Sequence, residues 1–265
     1  MPDPIRPLTL SQPLTWLAAG WRDLKCAPVL GLLHGLVAAL FGATLLTFAD
    51  HSFWFLAGTF SGFLIIAPVL ATGLYAMSRA LELGQPADLA LLMKTWLNWQ
   101  HGRVQPWSQA QWSLVVFGVL LATVSTLWVI ASAAVLLVLA PHPITSMADF
   151  LETVVLNPQG FLLETWLALG GILAAPIFAC TVITVPMLLD RQVSLRTAIT
   201  TSFRVVATHP LPIAFWGALL LILTLLGFVS ALIGLVLVMP LLGHASWHAY
   251  RDVLDASGWP AREPS

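Results

Sequence analysis

Charged residues are missing from long stretches of the chain, and those stretches set its plan. No Asp, Glu, Lys or Arg lies between Lys25 and Asp50, from His51 to Ser78, from Val104 to Ala148, from Thr165 to Leu189, or from Val205 to Tyr250. A helix needs about 20 apolar residues to cross a hydrocarbon core of about 30 Å. The first, second and fourth stretches each fit one such helix. The third opens on the polar run QPWSQAQWS, which leaves one long or tilted helix from Trp112 to Ala140. At a rise of about 1.5 Å per residue the last stretch would overshoot the core roughly twofold, so it reads as a hairpin with a turn near Gly227 to Ala231. The pattern predicts an all-α, polytopic membrane bundle of about six transmembrane helices, at residues 28–48, 53–78, 112–140, 163–188, 211–228 and 232–249, within a single integral membrane domain over 1–265.

Between these runs, three stretches mix apolar and polar positions at helical spacing. Residues 11–25 place Leu14, Leu17, Trp21 and Leu24 on one face, with Ser11 at the capping position and Pro13 in the first turn. Residues 87–100 do the same with Leu91, Leu92, Trp96 and Trp99, and residues 194–208 with Leu195, Ile199, Phe203 and Val206. Each precedes a span, and the mixture of Trp, Leu and Lys/Arg suits a helix lying in the membrane interface. Trp54, Trp112, Trp166, Trp216 and Trp247 fall near span ends, where an amphipathic ring fits the headgroup region, whereas Trp128 is mid-span and suits packing. Between the third and fourth spans, Ser146 and Asp149 have the spacing of a capping box.

Composition strengthens this reading. The 265 residues are 58% hydrophobic and 9% charged, against about 25% charged in soluble domains. The net charge of −1 gives no basic surface for nucleic acid. Lys and Arg gather in cytoplasmic loops. With six spans and both termini cytoplasmic, every basic residue falls inside, and Asp50, Asp149, Glu152 and Glu164 mark the outside. Arg22, Arg79, Asp190, Arg191, Arg251 and Asp252 then sit at the cytoplasmic face as anchors. Gly31 and Gly35, and Gly58 and Gly62, form G-x-x-x-G steps that let helix backbones approach closely. Pro68, Pro176, Pro186 and Pro240 lie in or near spans and predict kinks.

A repeat is also visible. Trp21-Arg22, Pro28 and Gly35 recur as Phe203-Arg204, Pro210 and Gly217, and Gly62, Pro68 and Arg79 recur as Gly234, Pro240 and Arg251. The unit is an interfacial helix followed by a transmembrane hairpin, repeated in parallel, with the middle hairpin as a degraded third copy.

Candidate chemistry is sparse. Ionisable residues inside a membrane are the default functional candidates, and no span carries a central Asp, Glu, Lys or Arg. That disfavours a carboxylate-based proton pump and an enzyme needing paired carboxylates. His34, His244 and His248 remain, the last two one turn apart on one face. Neutral imidazole can ligate copper, zinc or haem iron, but hydrogen bonding between helices is the commoner use of such residues, so no cofactor is expected unless they converge on haem or copper. Cys26 and Cys180 have no metal-binding spacing.

The blocks WLAAGWRDL (Trp16 to Leu24), GFLIIAPVLATGLYAMSR (Gly62 to Arg79), VPMLLDR (Val185 to Arg191) and PLLGHASWHAYRD (Pro240 to Asp252) resemble the domain-of-unknown-function family 2189. The resemblance implies a bacterial inner-membrane protein and no defined activity. Some members of that family carry a cytochrome c oxidase label, which fits this chain poorly as a catalytic statement because only three histidines are plausible intramembrane ligands. The resulting expectation is a non-enzymatic inner-membrane scaffold, assembly factor or accessory subunit. It would meet the lipid bilayer and either a membrane-protein partner or further copies of itself. The alternatives are a transporter or channel for a neutral or lipid-like solute, and haem or copper handling beside a respiratory oxidase.

Overall fold

The computed structural model describes residues 4–48, 71–97, 109–157 and 161–262. Among these the chain is helical, with two isolated antiparallel bridges and no strand. The helices are α1 (Gln12–Cys26), α2 (Pro28–Phe48), α3 (residues 71–82), α4 (Leu89–Leu97), α5 (Gln109–Leu139), α6 (Met147–Phe150), α7 (Leu162–Thr181), α8 (Thr184–Asp190), α9 (Leu195–Thr208), α10 (Pro210–Val229) and α11 (Leu235–Val253). Gly58, Gly62, Pro68 and Trp54 lie outside the described residues, as do most of the predicted 53–78 span and residues 98–100. Among the described residues, Pro28–Thr47, Val116–Leu139, Leu162–Asp190 and Pro210–Val229 are long and apolar enough to cross a membrane. The protein is a helical membrane bundle.

The chain divides into two compact units. One comprises the described parts of Met1–Leu40, Pro68–Phe117 and Ala179–Ser265; the other comprises those of Phe41–Ala67 and Gly118–Phe178.

In the first unit the repeat has a structural counterpart. α1 ends at Ala27 (φ −134°, ψ 59°) and Pro28 opens α2; α9 ends at His209 (φ −128°, ψ 60°) and Pro210 opens α10. Proline lacks the N–H that a first helical turn leaves unused, so it restarts a helix after a bend. The buried faces match too. Trp16, Ala19 and Gly20 of α1 correspond to the buried Ala198, Thr201 and Ser202 of α9, while Trp21 and Phe203 are each 42% exposed, each followed by an exposed arginine. The packed face of α1 thus combines Ala19 and Gly20 with the large Trp16 and Leu24, while that of α9 is built of the smaller Ala198, Thr201, Ser202 and Val205. Leu14 and Trp21 turn outward on α1, as Phe203 does on α9. α1 begins differently from the expectation: Ser11 makes no side-chain capping bond, and the Gln12 side chain accepts from Thr9 N–H instead. Ser194 does cap α9, accepting from Thr197 N–H.

α11 is the inner helix of this unit. A Cβ at Gly20 of α1 would meet the Ala245 nitrogen at 2.6 Å, and one at Gly35 of α2 would collide with the Val236 backbone. Glycine is required where helix backbones touch in this way. The turn into α11 centres on residues 230–234, later than the sequence suggests. Ala231 (φ 53°) and Leu232 (φ 69°) occupy the left-handed region, and Ser230 Oγ donates to Gly227 O and accepts from Gly234 N–H. Trp216 and Trp247 are not headgroup anchors. Each is at most 1% exposed, and Trp216 stands edge-on to Trp16 with centroids 5.6 Å apart.

Pro186 explains the break between α7 and α8. Its ring clashes with the carbonyl four residues earlier, at Val182, and the helix opens at residues 182–183. The fully buried Ser202 fills the opening. Its hydroxyl donates to Ala179 O (2.6 Å) and accepts from Ile183 N–H (3.2 Å), bridging the two groups that an unbroken helix would have paired. Pro176 and Pro240 lie inside continuous α7 and α11.

The second unit packs by aromatic contact. Leu136, Ile144, Val154 and Leu162 form its core, with Phe150 and Trp166 against it. Trp166 donates from Nε1 to Ser132 Oγ at 2.6 Å and lies 5.7 Å from Trp128 and 5.5 Å from Phe150. Trp166 is thus a packing residue of the hairpin as well as a span-end residue. The capping box forms: Asp149 N–H donates to Ser146 Oγ, and Ser146 N–H to Asp149 Oδ2. Hydrogen bonds from Thr145 and Ser146 hold the Asp149 carboxyl down at about 2.

Candidate functional site

The polar side chains of the first unit gather in two adjoining networks. The first is built on Asp190, the last residue of α8, whose side chain is 6% exposed. Arg79 Nε donates to its Oδ1 at 2.9 Å, Arg191 Nε to its Oδ2 at 2.8 Å, and Tyr250 Oη to Oδ2 at 2.8 Å, while Arg251 lies 3.9 Å away. Arg251 also makes a forked pair with Glu82, which accepts from Trp247 Nε1. Arg79 and Arg251 lie in the last turn of α3 and α11 and Arg191 directly follows α8, and each follows a polar residue: Ser78, Asp190 and Tyr250. Asp190 is the acidic member of that set. Burial and the Asp190 charge push the Tyr250 phenol well above its usual range, which keeps it a neutral donor.

Both chain ends close over this network. Arg79 Nη2 donates to Arg262 O, Arg262 N–H to Asp190 O, Arg191 Nη1 to Trp259 O, and Gln192 N–H to Pro260 O. From the other terminus, Arg6 N–H donates to Val253 O and Asp255 N–H to Pro4 O. Asp252 fastens α11 to α1 by accepting from Trp16 Nε1 (2.7 Å) and Gln12 Nε2 (3.1 Å). Arg22 is exposed on α1.

The second network runs inward. His248 Nε2 donates to Asp23 Oδ2 at 2.8 Å, Ser78 lies beside the same carboxylate, and Ser78 Oγ meets His244 Nδ1 at 2.7 Å. Burial works to raise the Asp23 carboxyl, and its interactions with His248 and Ser78 outweigh that and hold the group below its usual range. His34 Nδ1 donates to Leu30 O at 2.7 Å. His244 is fully buried and its Nε2 has no hydrogen-bond partner.

The three histidines suggested as metal ligands are therefore not one cluster. His248 is spent on Asp23, and among the described residues no three His, Cys, Asp or Glu side chains converge on a metal position. Haem does not fit between His34 and His244, because α2 and α11 touch backbone to backbone at Gly35 and leave no room for a porphyrin. Every carboxylate in the two networks already holds donors, an arrangement that ties helices together. Asp23, Ser78, Glu82 and Tyr250 were not singled out by sequence pattern. The usable signal was the polar residue preceding each span-end arginine.

No curated protein and no solved structure matches the chain. The model of the DUF2189 family, described as predicted integral membrane proteins, matches residues 55–190, a stretch that closes on the hub carboxylate. Covering more than half of the chain, that match places this protein in the DUF2189 family of predicted integral membrane proteins.

Proposed function

We propose that this protein is a non-enzymatic scaffold or accessory subunit of the bacterial inner membrane, crossing it several times with both termini in the cytoplasm. The observation that supports this most directly is the closed state of the Asp190 network. Its arginines, its tyrosine and both chain ends are turned on one another, so the polar end is a clasp and not a site awaiting a reactant. The working surface is then the outward apolar side of the helices, where Val29, Leu33, Leu36, Val37 and Leu40 of α2 are exposed. Such a surface meets lipid or another membrane helix. Purification from native membranes into nanodiscs, with cross-linking and mass spectrometry, is expected to recover a stoichiometric membrane-protein partner or a second copy. A lone monomer under those conditions would overturn the reading.

The matched joints of α1–α2 and α9–α10 favour one second reading, passage of a neutral or lipid-like solute between parallel repeats. Flux in proteoliposomes tests it, and no flux across a panel of neutral solutes and lipids would exclude it.

A further inference from the structure

The outward faces of α1 and α9 carry one sign of charge. α1 exposes Arg22 and Lys25, while its single acid, Asp23, is turned inward onto His248. α9 exposes Arg196 and Arg204 and contains no acid. By contrast, Arg79, Arg191 and Arg251 are spent on Asp190 and Glu82, and Arg6 lies 3.9 Å from Asp255. Among the described residues no carboxylate pairs with Arg22 or Lys25.

Connectivity sets the depth of these cations. Pro28 and Pro210 begin two helices long and apolar enough to cross a membrane. Lys25 and Arg22 stand three and six residues before Pro28, and Arg204 stands six before Pro210. At about 1.5 Å per residue, that is no more than about 5 Å of helix for Lys25 and about 9 Å for the arginines. The headgroup layer outside the hydrocarbon is about 5–8 Å thick on each side, so the charged ends of these long side chains reach it. The same face of α1 is greasy. Leu14 and Trp21 are exposed among the cations, as Phe203 is on α9. Trp21 and Lys25 are four residues apart, and Arg22 and Lys25 three, so the ring and both cations share one side of α1. The exposed apolar side of α2 then begins at Val29, four residues after Lys25.

We propose that the α1–α2 joint binds an anionic phospholipid, with its phosphate on Arg22 and Lys25, Trp21 at headgroup level and its acyl chains along the outward side of α2. The guanidinium offers a fork to two phosphate oxygens and the ammonium adds a point charge. A free phosphate would use the cations and leave Leu14, Trp21 and Val29 in water; a lipid uses both sets. A zwitterionic lipid brings its own cation beside the phosphate, so the joint selects for net negative charge. Arg204, at the matching place before Pro210, gives the α9–α10 joint a single-cation version of the same site. The site rests on α2 and α10 crossing a membrane and not on the scaffold reading, and its test counts lipids, not protein partners.

The test is native mass spectrometry of the purified full chain in detergent, titrated separately with dioleoylphosphatidylglycerol and dioleoylphosphatidylcholine. Tighter binding of phosphatidylglycerol is expected. A cation near the membrane surface contributes about fivefold, so R22Q/K25Q should weaken the strongest phosphatidylglycerol site about 25-fold and R204Q a second site about fivefold. R22K/K25R should keep most of the binding, and R6Q, which removes an arginine already beside Asp255, should leave it unchanged. Equal affinity for the two lipids in the wild type overturns the site, and so does undiminished phosphatidylglycerol binding in R22Q/K25Q. Should that variant fail to fold, salt decides on the wild type. Raising ammonium acetate from about 0.05 M to about 0.5 M should weaken phosphatidylglycerol and spare phosphatidylcholine, and equal response of the two lipids would overturn the site.

Discussion

The ionic end of the first unit and the aromatic hairpin of the second hold their helices by opposite means. At Asp190, one buried carboxylate is shared by two arginines and a tyrosine, with a third arginine and both chain ends close by. In the hairpin, Trp166 reaches across to Ser132 and packs on Trp128 and Phe150, with no ion involved. Neutral packing loses energy roughly in proportion to what is removed, whereas deleting one member of a buried ionic set strands the others. The first unit should therefore fail more abruptly than the second when a single polar atom is lost.

The largest expected effect follows. D190A leaves the part-buried Arg79 and Arg191 without their counter-ion and should cost about 3 kcal/mol, read as a lower thermal midpoint in detergent. S202A removes the bridge between Ala179 O and Ile183 N–H. Leaving buried backbone groups unpaired should cost about 2 kcal/mol, again in the first unit. In the hairpin, W166F keeps most of the ring packing and loses the bond to Ser132, for about 1 kcal/mol. Comparable losses for D190A and W166F would remove the contrast.

Acid sharpens the comparison within each unit. The depressed Asp149 carboxyl contributes stability that is complete above its ordinary value of 3.8 and is lost as pH falls through about 2. D149N should abolish that acid dependence. Asp23, also depressed, stabilises above the ordinary carboxylate range and loses its contribution as pH falls below it. D23N should flatten the corresponding part of the curve, monitored by thermal unfolding across acidic pH. The smallest effect is A231G, where glycine accepts the left-handed turn and relieves about 1 kcal/mol of strain.

These contrasts follow how much of the molecule could be read in advance. The apolar runs announced the helices, and Pro28 and Pro210 stood out as matched positions of the repeat, because period and spacing are local; that each opens a helix after a bend came from the fold. Arg79, Arg191 and Arg251 were visible as span-end anchors, but that Arg79 and Arg251 join Arg191 on Asp190 was not, since Arg79 is 111 residues from Asp190 in sequence and Arg251 lies on a different helix. Trp216 and Trp247 were read as headgroup anchors because sequence position near a span end does not reveal which way a ring faces. Ser202 was invisible for a related reason: its partners, Ala179 and Ile183, are orphaned only because Pro186 breaks a different helix. The histidines were found by residue type, and only the fold separated His248, held by Asp23, from His34 and His244.

The claim that Asp190 organises the first unit is tested most directly by hydrogen exchange in nanodiscs, comparing wild type with D190A. Faster exchange is predicted at Gln192, at the end of α11 and at Arg262, with the α5–α7 hairpin unchanged. Equal exchange at those amides in the two proteins would contradict the account.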